Sequence, residues 1–235
     1  MSRPVTAGTS GHTSAFESPS GERHPPPPSP EVPVPRSFGI TFDYLCPFAR
    51  NGNEHVIAAL RAGADWDVRF VPYSLRQGHV EEGDTPIWDR DDPSAASGVL
   101  ALQVGLAVRD HMPESFLDAH ESLFAARHDD GDDIKDPAVL RAALARVDID
   151  ADAVFDIVTD GTPLKILQEE HEAGVRDYAV WGVPTFIAGG RGVFVRLLDR
   201  PEGDAGLATR RITTVLDLVE GEPMIHEFKQ TDLTQ

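Results

Sequence analysis

A single cysteine, Cys46, stands in a chain of 235 residues. It sits where the apolar run 38–45 gives way to Pro47 and then to a helical pattern. Proline fits the first position of a helix because its missing N–H would find no partner there, so Cys46 should fall at the N-cap. Free N–H groups and the positive end of the helix dipole would then face the sulfur, favouring thiolate over thiol and making Cys46 a candidate nucleophile near neutral pH. The plain alternative is a small buried hydrophobe, the usual role of a lone cysteine.

The elements that must position this sulfur can be traced on both sides of it. A strand reaches about Asp43, and the helix from Pro47 carries Val56, Ile57 and Leu60 before Gly63 ends it. Residues 66–71 alternate apolar and polar side chains up to Pro72 and read as a strand. This is a β-α-β unit with parallel strands and a right-handed crossover. The stretch 78–93 is polar, broken and acidic, a long loop of the kind that is mobile or functional. Helical patterns follow over 95–108 and 113–126, from Asp136-Pro137 through Val147, from Asp150 or Asp152, and from a Thr162 cap with Pro163 at the first position to about Tyr178. Beyond Pro184, two apolar runs, 185–188 and 193–198, are joined by the turn Gly189-Gly190-Arg191-Gly192 as an antiparallel hairpin. A last helix spans about 205–219. A helical block of some 80 residues between two halves of a sheet exceeds an ordinary crossover and must be an inserted subdomain.

Strand, Cys46-Pro47-x-x, helix, and far downstream Trp181-Gly182-Val183-Pro184-Thr185-Phe186-Ile187 resemble the thioredoxin superfamily, and the element order resembles its DsbA-like branch over residues 37–220. The resemblance implies an α/β fold, thioredoxin-like with a helical insertion at about 94–179. It also implies a cis peptide before Pro184, since only X-Pro bonds adopt cis at modest cost, and a loop, Val183-Pro184-Thr185, that orients substrate beside the nucleophile. Pro47 and Phe48 would join that loop in binding substrate. Ala49 occupies the place of the second, resolving cysteine of the Cys-Pro-x-Cys redox motif. Cys46 could still attack a disulfide, but the mixed disulfide would need an external thiol for release. The expectation is therefore a monothiol oxidoreductase with glutathione or mycothiol as co-substrate and no tightly bound cofactor. The branch is also similar to 2-hydroxychromene-2-carboxylate isomerases and kappa-class glutathione transferases, which usually carry Ser where Cys46 stands, and the stretch from Val193-Phe194 to Lys229 resembles mycothiol-dependent reductases. A glutathione-dependent isomerase or transferase and a non-catalytic binding module are the alternatives.

Arg50, one turn beyond Cys46, is a candidate to stabilise the thiolate or bind the carboxylate of a small thiol, and Arg200, before the last helix, to bind such a carboxylate. For Arg50 the alternative is a solvated helix-face arginine; for Arg200 it is an ordinary salt bridge to Glu202 or Asp204, or those acids serving as helix N-terminal charges. Tyr44, Phe48 and Trp181 could line a groove or pack in the core. The acidic loop 128–133 lacks EF-hand spacing, no His-x-x-x-His pair occurs, and neither a dinucleotide fingerprint nor a P-loop is present, so no metal site or tightly bound nucleotide is expected.

Residues 1–36 hold nine of the nineteen prolines and read as a disordered tail, with 221–235 a C-terminal extension. The tail balances Arg3, Arg23 and Arg36 against Glu17, Glu22 and Glu31, so the net charge of −18 belongs to the body. So acidic a body repels polyanions, which excludes nucleic acid and anionic membranes as expected partners. No run is long enough to span a bilayer, and one cysteine forms no internal disulfide. The expected location is the cytoplasm, the expected partners are a small thiol and a disulfide or electrophilic substrate, and the oligomeric state is open, a homodimer included.

Overall fold

The computed structural model describes residues 35–227. The reading of the Pro-rich tail falls largely on residues 1–34, and that of the end of the C-terminal extension on 228–235; both lie outside the described residues.

Strand β1 (Arg36–Phe42) is the first element among the described residues, and it begins inside the stretch read as tail. Arg36 is held there by Asp217 and Glu220 of the last helix, at 2.8 and 2.6 Å. Helix α1 (Pro47–Arg61) and strand β2 (Trp66–Pro72) complete the first unit, with β1 and β2 parallel and Ile40 opposite Phe70. β1 is a central strand buried on both faces, so Phe38, Ile40 and Phe42 lie in the core along with Thr41. This explains why its sequence shows no clean alternation.

A short helix α2 (Leu75–Gly78) and two 3-10 turns precede the insertion, which comprises α3 (Val99–His111), α4 (Phe116–His128), α5 (Pro137–Ala145), α6 (Ala151–Thr159) and α7 (Thr162–Tyr178). α3 is the hub, buried along most of its length and packed on α4, α6 and α7. It starts four residues later than the apolar pattern suggests. Asp92 caps a 3-10 turn over Pro93–Ala95, and Gly98, at φ +84°, breaks the chain into the left-handed region before Val99. At α7 the N-cap is Gly161 rather than Thr162, because Asp160 Oδ1 accepts the Thr162 N–H at 2.7 Å. The caps at Asp136 and Asp150 form as the sequence implies, each carboxylate accepting an N–H of the first turn.

β3 (Thr185–Ala188) and β4 (Arg191–Phe194) form the hairpin, and α8 (Ala205–Gly221) closes the fold against α1 and β3. The turn is the pair Gly189-Gly190 alone, both at positive φ (+57° and +75°). Two left-handed residues match the twist of a two-residue hairpin, so β4 starts at Arg191, two residues before the expected strand. The sheet order is β2-β1-β3-β4, with β3 antiparallel to both of its neighbours. The result is the α/β thioredoxin-like architecture with a helical insertion. Among the described residues no helix is long and apolar enough to cross a membrane.

Candidate active site

Cys46 is the N-cap of α1, in extended conformation, with Pro47 following at the first helical position. Its N–H donates to Asp43 O at 3.0 Å, closing the turn out of β1. The thiol donates to Val183 O at 3.4 Å, and the Val183–Pro184 peptide is cis. The two segments singled out in the sequence therefore meet, although they lie 137 residues apart.

The Pro184 loop is pinned from behind. Thr185 N–H donates to Thr41 Oγ1 at 2.7 Å, Thr185 Oγ1 donates to Gly182 O at 2.8 Å, and Pro184 O accepts the Val195 N–H at 3.1 Å. Val183, Pro184 and Thr185 are buried, Phe48 is half-buried and Pro47 is exposed. Trp181 is 69% exposed and rests on Phe194 with ring centres 4.6 Å apart.

The electrostatics differ from the expected activated thiolate. The N–H groups of Ala49 and Phe48 do face the sulfur and pull its pKa down, as does the charge of Arg196, but burial outweighs them and the Cys46 thiol is pushed up. A half-buried thiol surrounded by apolar side chains holds its proton because the charged form loses its hydration. The resting residue is a thiol.

Asp43 is the unexpected member of the site. It is 1% exposed; Oδ1 accepts the Leu45 N–H at 2.9 Å and Oδ2 the Leu75 N–H at 2.8 Å. Burial raises its pKa to about 6, against the two N–H bonds and the charge of Arg76, which lower it. One carboxyl thus ties the residue before Cys46 to the start of α2. The first half of that geometry is local, an Asp two residues before the N–H it accepts, and is legible as a turn motif.

Neither arginine proposed for a thiol cofactor faces the sulfur. Arg50 is 5% exposed rather than solvated, and it donates from Nε to Glu54 at 2.8 Å and from Nη2 to Asp129. Arg200 pairs not with Glu202 or Asp204 but with Glu54, at 2.6 and 2.9 Å, and with Asp129 at 3.5 Å. The two guanidiniums are brought together, yet around a shared pair of carboxylates. The cation that acts on Cys46 is Arg196, whose guanidinium lies 5.3 Å from the Phe48 ring centre. Nothing in its local sequence marks it.

Tyr44 is core, not groove. Fully buried, it hydrogen-bonds His120 Nδ1 at 2.8 Å, and His120 Nε2 meets Asn53 Oδ1 at 3.1 Å. Asn53 Nδ2 donates to Ala49 O at 2.8 Å, so this chain of contacts ends under the first turn of α1. Burial, reinforced by the charge of Arg109, lowers the His120 pKa to about 3, and the ring is neutral at neutral pH. His128 Nε2 donates to Tyr44 O at 2.9 Å.

A thiol at a helix N-terminus in contact with a cis-proline loop, both at one end of the adjacent strands β1 and β3, is a thioredoxin-type arrangement. The chain belongs to the DSBA-like thioredoxin domain family, whose model matches residues 40–202. Among solved structures it is similar to MdbA, a thiol-disulfide oxidoreductase from Actinomyces oris, at 18% identity over 75% of this chain and 81% of that one, with a TM-score of 0.52. The probable DsbA oxidoreductase SCO1869 from Streptomyces coelicolor is 15% identical over 84% and 94% of the two chains (TM-score 0.54), and BdbD from Bacillus subtilis 16% identical over 78% and 89% (TM-score 0.53). At such identities the likeness is one of fold. A comparison with curated proteins found no match.

Proposed function

We propose that the protein is a thiol-disulfide oxidoreductase that works through Cys46 alone and is turned over by an external low-molecular-weight thiol, glutathione or mycothiol. Family membership supports the thiol oxidoreductase class. The observation that carries the monothiol step is the placement of the Cys46 thiol against the Val183 carbonyl, with Ala49 and not a second cysteine one turn along α1. Cys46 loses its proton to solvent, and its thiolate attacks one sulfur of a substrate disulfide. That S–S bond breaks as the new one forms, and the departing thiolate takes up a proton. The external thiolate then attacks the substrate sulfur of the mixed disulfide and releases Cys46, so two exchanges balance without any other oxidant or reductant. A reducing compartment such as the cytoplasm would supply the external thiol.

A second reading, a binding module that kept the fold and lost turnover, is favoured by the burial that keeps Cys46 protonated. Intact mass after incubation with oxidised glutathione or the disulfide of mycothiol separates the two. The monothiol reading expects an adduct on wild type and none on Cys46→Ser, and Ala49→Cys should shorten the adduct's lifetime by about tenfold or more, since a second thiol one turn away attacks at high effective concentration. Absence of any adduct under oxidising conditions favours the module.

A further inference from the structure

The segment between β2 and α3 lines a second feature, a polar concavity of about 420 Å³ that is open to solvent on one side and of a size found among small-ligand sites. Arg76, His79, Arg90 and Ser97 line it from this segment and Lys135 from the loop before α5, and Asp84 is the one acid among the lining residues. The same segment carries Glu81, Glu82, Asp89, Asp91 and Asp92, none of which lines the cavity. Three permanent cations and one carboxylate thus share a concavity in a chain of net charge −18. The local balance is the reverse of the molecule's.

These cations are poorly neutralised by the protein itself. Among the described residues Arg76 makes no salt bridge within 4 Å, although its charge is felt by the buried Asp43, and Lys135 reaches Asp133 only at 3.8 Å. Arg90 donates from Nε and Nη2 to Thr85 O, at 3.3 and 3.2 Å, which fixes the guanidinium while leaving Nη1 without a carboxylate. Like charges gathered in one cavity repel, and an anion between them relieves that repulsion. Guanidinium forks match phosphate and carboxylate oxygens in pairs, with the lysine as a point charge beside them.

The cavity also abuts the Cys46 turn. Asp43 binds the N–H of Leu45, the residue before Cys46, and that of Leu75, the residue before Arg76. On the other side Gly98 lies so close to Leu45 that a β-carbon there would come within 2.9 Å of its side chain. We propose that this cavity binds a small organic anion through its phosphate or carboxylate groups. The proposal stands whether or not Cys46 turns over.

Titration calorimetry on the full chain at constant ionic strength, with inorganic pyrophosphate and with citrate as probes, tests it. Saturable binding of either probe with a Kd of about 1 mM or tighter is expected, pyrophosphate alone indicating a phosphate ligand and citrate alone a carboxylate one. The double variant Arg76→Gln/Arg90→Gln, at two exposed positions, should weaken that binding by about tenfold or more, whereas Arg210→Gln on the exposed face of α8 should leave it unchanged. Should the double variant fail to fold, Lys135→Gln carries the same test from a separate loop. Heat that saturates with neither probe, or equal affinity in wild type and the cavity variants, overturns the proposal.

Discussion

Replacing Asp43 by Asn should change stability by an amount that depends on pH in a calculable way. The folded pKa of about 6, against an ordinary 3.8, means that the folded state holds a proton the unfolded state has released. The stability this proton confers is fully present below 3.8 and is lost as pH rises through about 6. At 1.36 kcal/mol per pKa unit, ionising the buried carboxyl costs the folded state about 3 kcal/mol, of which roughly 2 kcal/mol appears between pH 4 and pH 7. Asn cannot ionise, so it escapes that cost. Its amide offers one oxygen for two N–H donors, however, and the donor left unpaired at Leu45 or Leu75 costs about 1–3 kcal/mol at every pH. Against a wild type that is itself protonated at pH 4, the variant should therefore gain roughly 2 kcal/mol in relative stability between pH 4 and pH 7. Urea unfolding of both proteins across this range gives the two curves. The difference between them isolates Asp43, because His120 and His171, lowered by burial to about 3 and about 4, contribute equally to both. Those histidines act with the opposite sign, their stabilisation being complete above 6.5 and lost as pH falls. Parallel curves, with a gap that does not move from pH 4 to pH 7, would refute the assignment of a raised pKa to Asp43.

Three further outcomes follow from the same structure. The rate of Cys46 alkylation by iodoacetamide should keep rising above neutral pH, since burial holds the thiol's pKa above its ordinary value; a rate already level at pH 7 contradicts this. Glu54→Gln should cost about 3 kcal/mol in chemical denaturation, because it leaves the buried Arg50 guanidinium with Asp129 alone. Gly98→Ala should destabilise by about 2 kcal/mol, combining a left-handed backbone with a β-carbon pressed on Leu45. Circular dichroism melts would detect that loss, and a variant as stable as wild type would show that the Leu45 turn yields without cost.

The parts of the fold that could be read from the sequence are those whose cause is local. Cys46-Pro47 contains both the cap and the first helical residue, Asp136-Pro137 repeats the device, and the paired glycines at 189 and 190 announce a tight hairpin. Errors of boundary arose where a neighbouring residue took over a role, as when Asp160 replaced Thr162 as the group satisfying the start of α7. The site was legible as a pairing of two motifs, while the state of its thiol was not. That state depends on how much apolar surface the fold lays over the sulfur, and no residue beside Cys46 encodes it. Pairings across long separations were likewise hidden. Tyr44 meets His120 and Glu54 meets Arg200 only because the insertion and the segment after β4 return to α1. Arg50 has a local partner in Glu54, four residues on, yet reads as solvated until the insertion brings Asp129 over it.

The cluster around Glu54 has a mechanical consequence. Arg50 and Glu54 belong to α1, Asp129 follows the end of α4 within the insertion, and Arg200 follows β4. Four charged groups from three regions of the chain are thus bolted together on the helix that presents Cys46. Swinging the insertion away from the sheet as a rigid flap would break both the Arg50–Asp129 and the Arg200–Asp129 pairs. The insertion is braced rather than hinged at this point. On the far side of the turn the segment from α2 to α3 has anchors of its own, the Leu75 N–H on Asp43, the Ile87 N–H on Gln77 Oε1 at 2.8 Å and the buried Ile87 side chain, so the turn that presents Cys46 is fixed from both sides.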